Sequence, residues 1–111
     1  MGVVSGIRRF DVFLIALDPT VGNEIRKTRP CLVVSPDEMN KHVGTILVAP
    51  MTTGGQPYPT RVACRFRGKA GSVVLDQLRA VDRSRLVRRL GRLGASAQEE
   101  VLAILTELFA R

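Results

Sequence analysis

The sequence predicts a mainly β, α+β fold: mostly antiparallel strands, a short internal helix and a C-terminal helix. Three observations carry that expectation. Short apolar or alternating runs recur between Gly, Pro and Asp clusters, as strands between turns do. Only the C-terminal segment shows sustained helix spacing, with Val101, Ile104, Leu105 and Leu108 on one face. The whole chain has 111 residues with 45% hydrophobic content, enough for one domain with one core, spanning residues 1–111.

The elements follow in order. Val12 to Leu17 is a continuous apolar run between Asp11 and Asp18, the pattern of a strand covered on both faces. Asp18-Pro19 ends it, because proline cannot donate to a ladder. Residues 19–28 mix Pro, Gly, Asn and charges without period and are read as a loop. "CLVVS" is a second strand. "PDEMNKHV" suits one or two helical turns, with Ser35 as N-cap and Pro36 at the first helical position.

"TILVAPMT" is the third strand and "TGGQPYP" a turn. "TRVACRF" alternates, placing Val62, Cys64 and Phe66 on one side and Arg61, Ala63 and Arg65 on the other. "RGKAG" turns the chain and "SVVLDQ" makes a fifth strand. "LVRRLGRL" fits a helix through Leu86, Leu90 and Leu93, or a strand with Leu86, Arg88, Leu90 and Arg92 on one face. Gly91 tilts the choice to the strand. Ser96 and Glu99 form a capping box that opens the final helix.

Charge points to a partner. The chain holds 17 basic against 10 acidic residues, a net charge of +7, and 14 of the basic residues are Arg. Arg carries a planar fork of donors that matches phosphate and stacks on bases, so a polyanion, above all nucleic acid, is the expected ligand. Arg26, Lys27 and Arg29 crowd the mouth of the second strand. Such cations are either solvated loop residues or aimed at an anion.

Other chemistries are poorly supplied. His42 is the only histidine, and Cys31 and Cys64 stand far apart in the chain without a CxxC pair. No metal cluster and no cofactor is therefore expected. Two cysteines make no disulfide framework and read as small buried hydrophobes in a reducing compartment. Residues 1–9 hold no apolar signal core, and no run approaches a membrane span. The expected location is the cytoplasm, with no membrane partner. No nucleophile elbow or phosphate-cradling glycine motif is present.

RNA brings its own nucleophile, the ribose 2′-OH. An enzyme need only orient it, take its proton and stabilise the charged phosphorane, which requires a carboxylate, a cation and a hydroxyl or amide donor. Glu24, Arg29, Thr52 and Thr53 supply that set at strand ends.

The segments "GIRRFDVFLIALDPTVGNE", "RPCLVVSP", "VAPMTT", "TRV" and "VVLDQLRAVDRSRL", in that order, resemble the MazF/PemK toxins of bacterial toxin–antitoxin systems. The resemblance implies an SH3-like β barrel, a homodimer and a cognate acidic antitoxin. It also implies metal-independent, sequence-specific cleavage of single-stranded RNA, leaving 2′,3′-cyclic phosphate and 5′-hydroxyl ends. Arg29 matches the family arginine that faces the scissile phosphate, and Thr52 the threonine that holds a phosphate oxygen, with Thr53 beside it. Glu24 matches the base of some members and Asp76 that of others. Members of the second kind carry an arginine two residues before the aspartate, where this chain has Val74, so Glu24 ranks first. Asp76 also reads as a carboxylate that ties down a loop. Gln77, Arg79 and Arg61 are candidates for RNA contacts. Two other readings stand beside this one. The first is a gyrase poison of the CcdB type, which shares the fold but grips gyrase with an aromatic C-terminus, whereas this chain ends "LTELFAR". The second is a basic barrel that binds nucleic acid without cutting it.

Overall fold

The structure is a computed structural model that describes residues 6–25, 27–54 and 58–111. Seven strands and two helices follow in the order β1 (Asp11–Ala16), β2 (Thr28–Val33), α1 (Asp37–His42), β3 (Thr45–Thr53), β4 (Arg61–Phe66), β5 (Lys69–Val74), β6 (Arg79–Asp82), β7 (Leu86–Arg92) and α2 (Ala95–Leu108). Single 3-10 turns at Leu75–Gln77 and Arg83–Arg85 flank β6.

All pairings are antiparallel, and the hydrogen-bonded order runs β4-β5-β3-β2-β1-β7, with β6 also on β3. No pairing joins β4 to β7 among the described residues, so the sheet is not a closed ring. The long strand β3 organises it. Val48–Pro50 pair with β2, Thr45–Val48 with β6, and Met51–Thr53 with β5. At the end of β3, β5 therefore takes over as partner while β2 departs.

The apolar alternation places a core on each side of the sheet. One cluster holds Val12, Leu32, Val34, Ala49, Met51, Val62 and Val73 under α2, where Val101 is fully buried and Ile104 and Leu105 pack beside it. The other holds Phe13, Ile15, Leu17, Cys31, Val33, Ile46, Val48 and Val81. Adjacent residues of β1 and β2 thus enter opposite clusters, which is why both strands read as continuous apolar runs.

The structure corrects several expectations. Ser35 does not cap α1: it is fully buried, and its hydroxyl bonds Asn40 Oδ1 and accepts the Leu47 N–H at 3.1 Å, tying the helix to β3. Ser96 does not cap α2, whose cap is Gly94, two residues earlier; Gln98 Nε2 bonds the Leu93 carbonyl at 2.7 Å instead. The expected fifth strand stops at Val74, and "LDQ" winds into a 3-10 turn. The turn before it is only Arg67-Gly68, because Phe66 pairs Lys69. Both turn residues have positive φ, the geometry whose twist matches a two-residue hairpin. The second strand starts at Thr28 rather than Cys31. The ambiguous segment is strand β7, but Leu86 and Leu90 do not share a face. Register shifts skip Val87 and Leu90 opposite β1. Each bulge reverses the alternation, so Leu86 enters one cluster and Leu90 the other. Leu108, at the end of the predicted helix stripe, is exposed.

Candidate functional site

The expected site residues lie in the loop before β2, at the starts of β2, β4 and β6, at the end of β3 and in the 3-10 turn after β5. Arg29 sits near the start of β2, exposed, opposite Ile15 of β1. Thr52 and Thr53 end β3, opposite Ser72 and Gly71 of β5. The β2–β3 ladder stops at Cys31 and Pro50. Beyond that pair the two strands part: Arg29 pairs with Ile15 of β1, and Thr52 with Ser72 of β5. By strand alternation Arg29 lies on the side of β2 that carries Cys31, and Thr52 on the side of β3 that carries Val48, both of which enter the same core cluster.

Gly71 explains the tight join. A Cβ there would lie 2.0 Å from the Thr52 carbonyl oxygen. Only glycine therefore lets β5 close on Thr52.

Two hollows flank this junction. One, of about 370 Å³, is lined by Leu17, Glu24, Ile25, Pro50, Asp76, Gln77, Leu78 and Arg79. It unites four of the expected residues: Glu24, Asp76, Gln77 and Arg79. The other, of about 420 Å³, has Thr52 and Thr53 in its wall over a bed of Leu14, Pro30, Met51 and Phe66, with Arg67, Lys69 and Arg88 also on its lining. Arg29 lines neither hollow but adjoins Pro30 of the second. Arg26 lies outside the described residues.

Most of these side chains also hold the scaffold. Glu24 Oε1 accepts the Val21 N–H at 2.7 Å, folding the loop before β2 back on itself. Gln77 Oε1 accepts the Ile25 N–H at 2.8 Å, fixing that loop to the 3-10 turn. Arg79 Nη1 donates to the Leu17 carbonyl at 3.2 Å, bracing the end of β1. Asp76 is held from two sides: Arg61 donates Nε to Oδ1 at 3.2 Å and Nη2 to Oδ2 at 3.3 Å, and Thr60 Oγ1 donates to Oδ1 at 3.1 Å. Burial pushes the Asp76 carboxyl up, but the hydrogen bonds from Arg61 and Thr60 and the Arg61 charge outweigh it, and the net direction is down. Its carboxylate is therefore firmly ionised at neutral pH and a weakened proton acceptor.

Sequence reasoning did not single out Tyr58, Thr60, Lys69 or Gly71. The first two flank a proline beside the expected contact Arg61, which was the available signal. Both cysteines are free, Cys31 buried and Cys64 half-buried. Burial pushes the Cys31 thiol up to about 12 against a smaller downward pull from Arg79, so it is an inert core residue. Among the described residues, no three His, Cys, Asp or Glu side chains are grouped as metal ligands, and no helix is long and apolar enough to cross a membrane.

The chain is similar to several known proteins. PemK of Escherichia coli, an endoribonuclease, is 34% identical over 110 residues, covering 94% of this chain and 83% of that protein. The endoribonuclease MazF of Staphylococcus epidermidis is 35% identical over 101 residues, covering 86% and 84%. The crystal structure of MazF from Deinococcus radiodurans superposes with a TM-score of 0.81 at 30% identity, over 92% of this chain and 94% of that one. The same organism's MazE–MazF complex gives 0.75 at 26% identity, over 94% and 95%. The family profile of the PemK-like, MazF-like toxins of type II toxin–antitoxin systems matches residues 8–109, nearly the full length described above. The chain belongs to that family.

Proposed function

We propose that this chain is the toxin of a type II toxin–antitoxin pair and a sequence-specific endoribonuclease that cuts single-stranded messenger RNA without a metal, thereby blocking translation and growth. What supports the reading is the likeness to the endoribonucleases PemK and MazF over most of the chain, with Glu24 in the loop before β2, Arg29 near the start of β2 and Thr52 near the end of β3. Those are the three chemical parts that cleavage by the ribose 2′-OH requires. Glu24 takes the 2′-OH proton. Thr52 holds a non-bridging phosphate oxygen. Arg29 stabilises the phosphorane as charge develops on it; a guanidinium holds its proton tightly and serves as a good fixed charge. The 2′-oxygen bonds to phosphorus as the bond to the 5′-oxygen breaks; the leaving oxygen takes a proton from water, and Glu24 returns its proton to solvent. The products are a 2′,3′-cyclic phosphate and a 5′-hydroxyl.

Thr53, Gln77 and Arg79 border the path of the strand, and the Asp76–Arg61 pair forms one wall of it. The 111 residues act as one domain, an SH3-like barrel whose two core clusters are the inner and outer packing of a coiled sheet. The working form is a cytoplasmic homodimer, restrained by an acidic antitoxin. Cationic Arg67, Lys69 and Arg88 around an apolar bed suit a segment that brings both carboxylates and apolar anchors.

The test is incubation of purified protein with single-stranded RNA in EDTA. Cleavage at a defined sequence supports the reading. A folded protein that leaves all RNA intact overturns it, and the gyrase and binding-only alternatives would then be tested by supercoiling and gel-shift assays.

A further inference from the structure

Tyr58 is the only tyrosine of the chain and stands on the surface, 53% exposed. It begins the turn into β4, which the Arg61 N–H closes onto the Tyr58 carbonyl at 3.0 Å. Within that turn the Arg61 guanidinium carbon lies 4.7 Å from the ring centroid, stacked over one face. Arg61 is itself fixed by its two contacts to Asp76, which Thr60 secures from the same turn. An exposed aromatic normally wanders among rotamers. Here a closed turn, a stacked cation and a paired carboxylate hold it as a flat, preorganised surface, and the carboxylate at its base lines the hollow that holds Glu24 and Gln77.

Single-stranded RNA offers unstacked bases, and proteins capture them on aromatic and guanidinium planes. We propose that Tyr58, backed by Arg61, is a stacking platform for a nucleobase next to the cut site. The inference rests on the RNA-cleaving function proposed above and adds a recognition element to it. Asp76 becomes a positioning residue that aims Arg61. Because stacking accepts any base, the platform supplies affinity and strand direction, and the hydrogen-bonding groups of the hollow supply discrimination.

The probe is a fluorescein-labelled RNA oligomer carrying the mapped cut sequence, made uncleavable by a 2′-O-methyl group at the scissile position. Its dissociation constant is measured by anisotropy for wild type, Tyr58→Phe and Tyr58→Leu, with thermal unfolding as the folding check. Tyr58→Phe keeps the ring and binds as wild type does. Tyr58→Leu binds about 5- to 150-fold more weakly, the loss expected for one stacked base. Equal binding by Tyr58→Leu overturns the platform, and so does an equal loss in Tyr58→Phe, which would make the hydroxyl the acting group. A second measurement needs no variant. In wild type, 5-iodouridine placed next to the scissile position photo-crosslinks to Tyr58; crosslinks formed only elsewhere contradict the proposal. Wild-type cleavage of the unmodified oligomer runs alongside. If it is present and the platform results fail, only the platform falls; if it is absent, the functional reading fails and takes the platform with it.

Discussion

Arg61 and Asp76 face each other in a near-parallel double contact, Nε to Oδ1 at 3.2 Å and Nη2 to Oδ2 at 3.3 Å. The pair joins the start of β4 to the 3-10 turn after β5. It separates the two carboxylates of the hollow by role. Asp76 is committed to a cation, whereas Glu24 makes no ion pair among the described residues and accepts only a backbone N–H.

That separation predicts the order of two substitutions. Glu24→Gln keeps the side-chain shape, including an acceptor for Val21, but removes the proton acceptor. Single-turnover cleavage should slow by about 10²–10⁴, the usual contribution of a positioned acid–base group. Asp76→Asn should slow it less and act chiefly on RNA affinity, through the loosened Arg61. The reverse order would place the base on the 3-10 turn.

The same pair predicts a pH dependence of stability. The folded-state pKa of Asp76 lies below its ordinary 3.8. A lowered carboxyl pKa stabilises the fold above the unfolded value and loses that contribution as pH falls through the folded value. The side chain is 35% exposed, so solvent limits the contribution to about 1 kcal/mol or less. Urea unfolding of wild type and Asp76→Asn should differ by that amount at neutral pH and converge as pH falls through the lowered folded-state pKa. A difference that persists unchanged in acid would show that the ion pair is not its source.

Arg29 is exposed and pairs through its backbone with β1, so its side chain is dispensable for folding. Arg29→Ala should retain the wild-type unfolding midpoint and lose about 10²–10³ in cleavage rate, as when one preorganised charge donor is removed. Arg29→Lys should recover only part, because a point charge does not replace the planar fork. A folded Arg29→Ala protein cutting at the wild-type rate would remove Arg29 from the site.

Gly71 gives a prediction about positioning. In Gly71→Ala the methyl group would lie 2.0 Å from the Thr52 carbonyl oxygen, so β5 or Thr52 must shift. The expected cost is about 1–3 kcal/mol of stability, with a fall in cleavage as Thr52 moves. Gly44→Ala is the control, with nothing within 4 Å of the added carbon. It should change stability by about 0.5 kcal/mol or less. Equal effects at the two positions would deny the close approach any importance.

Much of this was legible in the sequence, wherever the signal was local. The apolar run from Val12 to Leu17, the alternation of Val62, Cys64 and Phe66, and the helix stripe through Val101 each mark an element by its own period. The misses came from long-range effects. Ser35 and Ser96 looked like caps because their neighbourhoods suit one, yet burial recruited Ser35 to β3 and Gly94 began α2 first. The bulges of β7 depend on the register of β1, at the other end of the chain, and reverse the face of Leu90 without any local mark. The strand–turn–strand pattern of "TRVACRF", "RGKAG" and "SVVLDQ" marks the β4–β5 hairpin, but the pairing of Arg61 with Asp76 across it follows from its register, which no local pattern announces. Tyr58 was passed over because a single aromatic in a Pro-rich turn has no periodicity to declare it.

The central claim is that the substrate supplies the nucleophile to a site built from Arg29, Thr52 and Glu24. The most direct measurement compares two RNA oligomers of identical sequence in EDTA, one all-ribose and one with a single 2′-O-methyl group at the mapped cut site, with both product ends identified by mass spectrometry. The all-ribose oligomer should yield a 2′,3′-cyclic phosphate and a 5′-hydroxyl, and the blocked oligomer should remain whole at that position. Cleavage of the blocked oligomer at the same bond and a comparable rate would show that water, or a group of the protein, attacks the phosphorus, and would contradict the account.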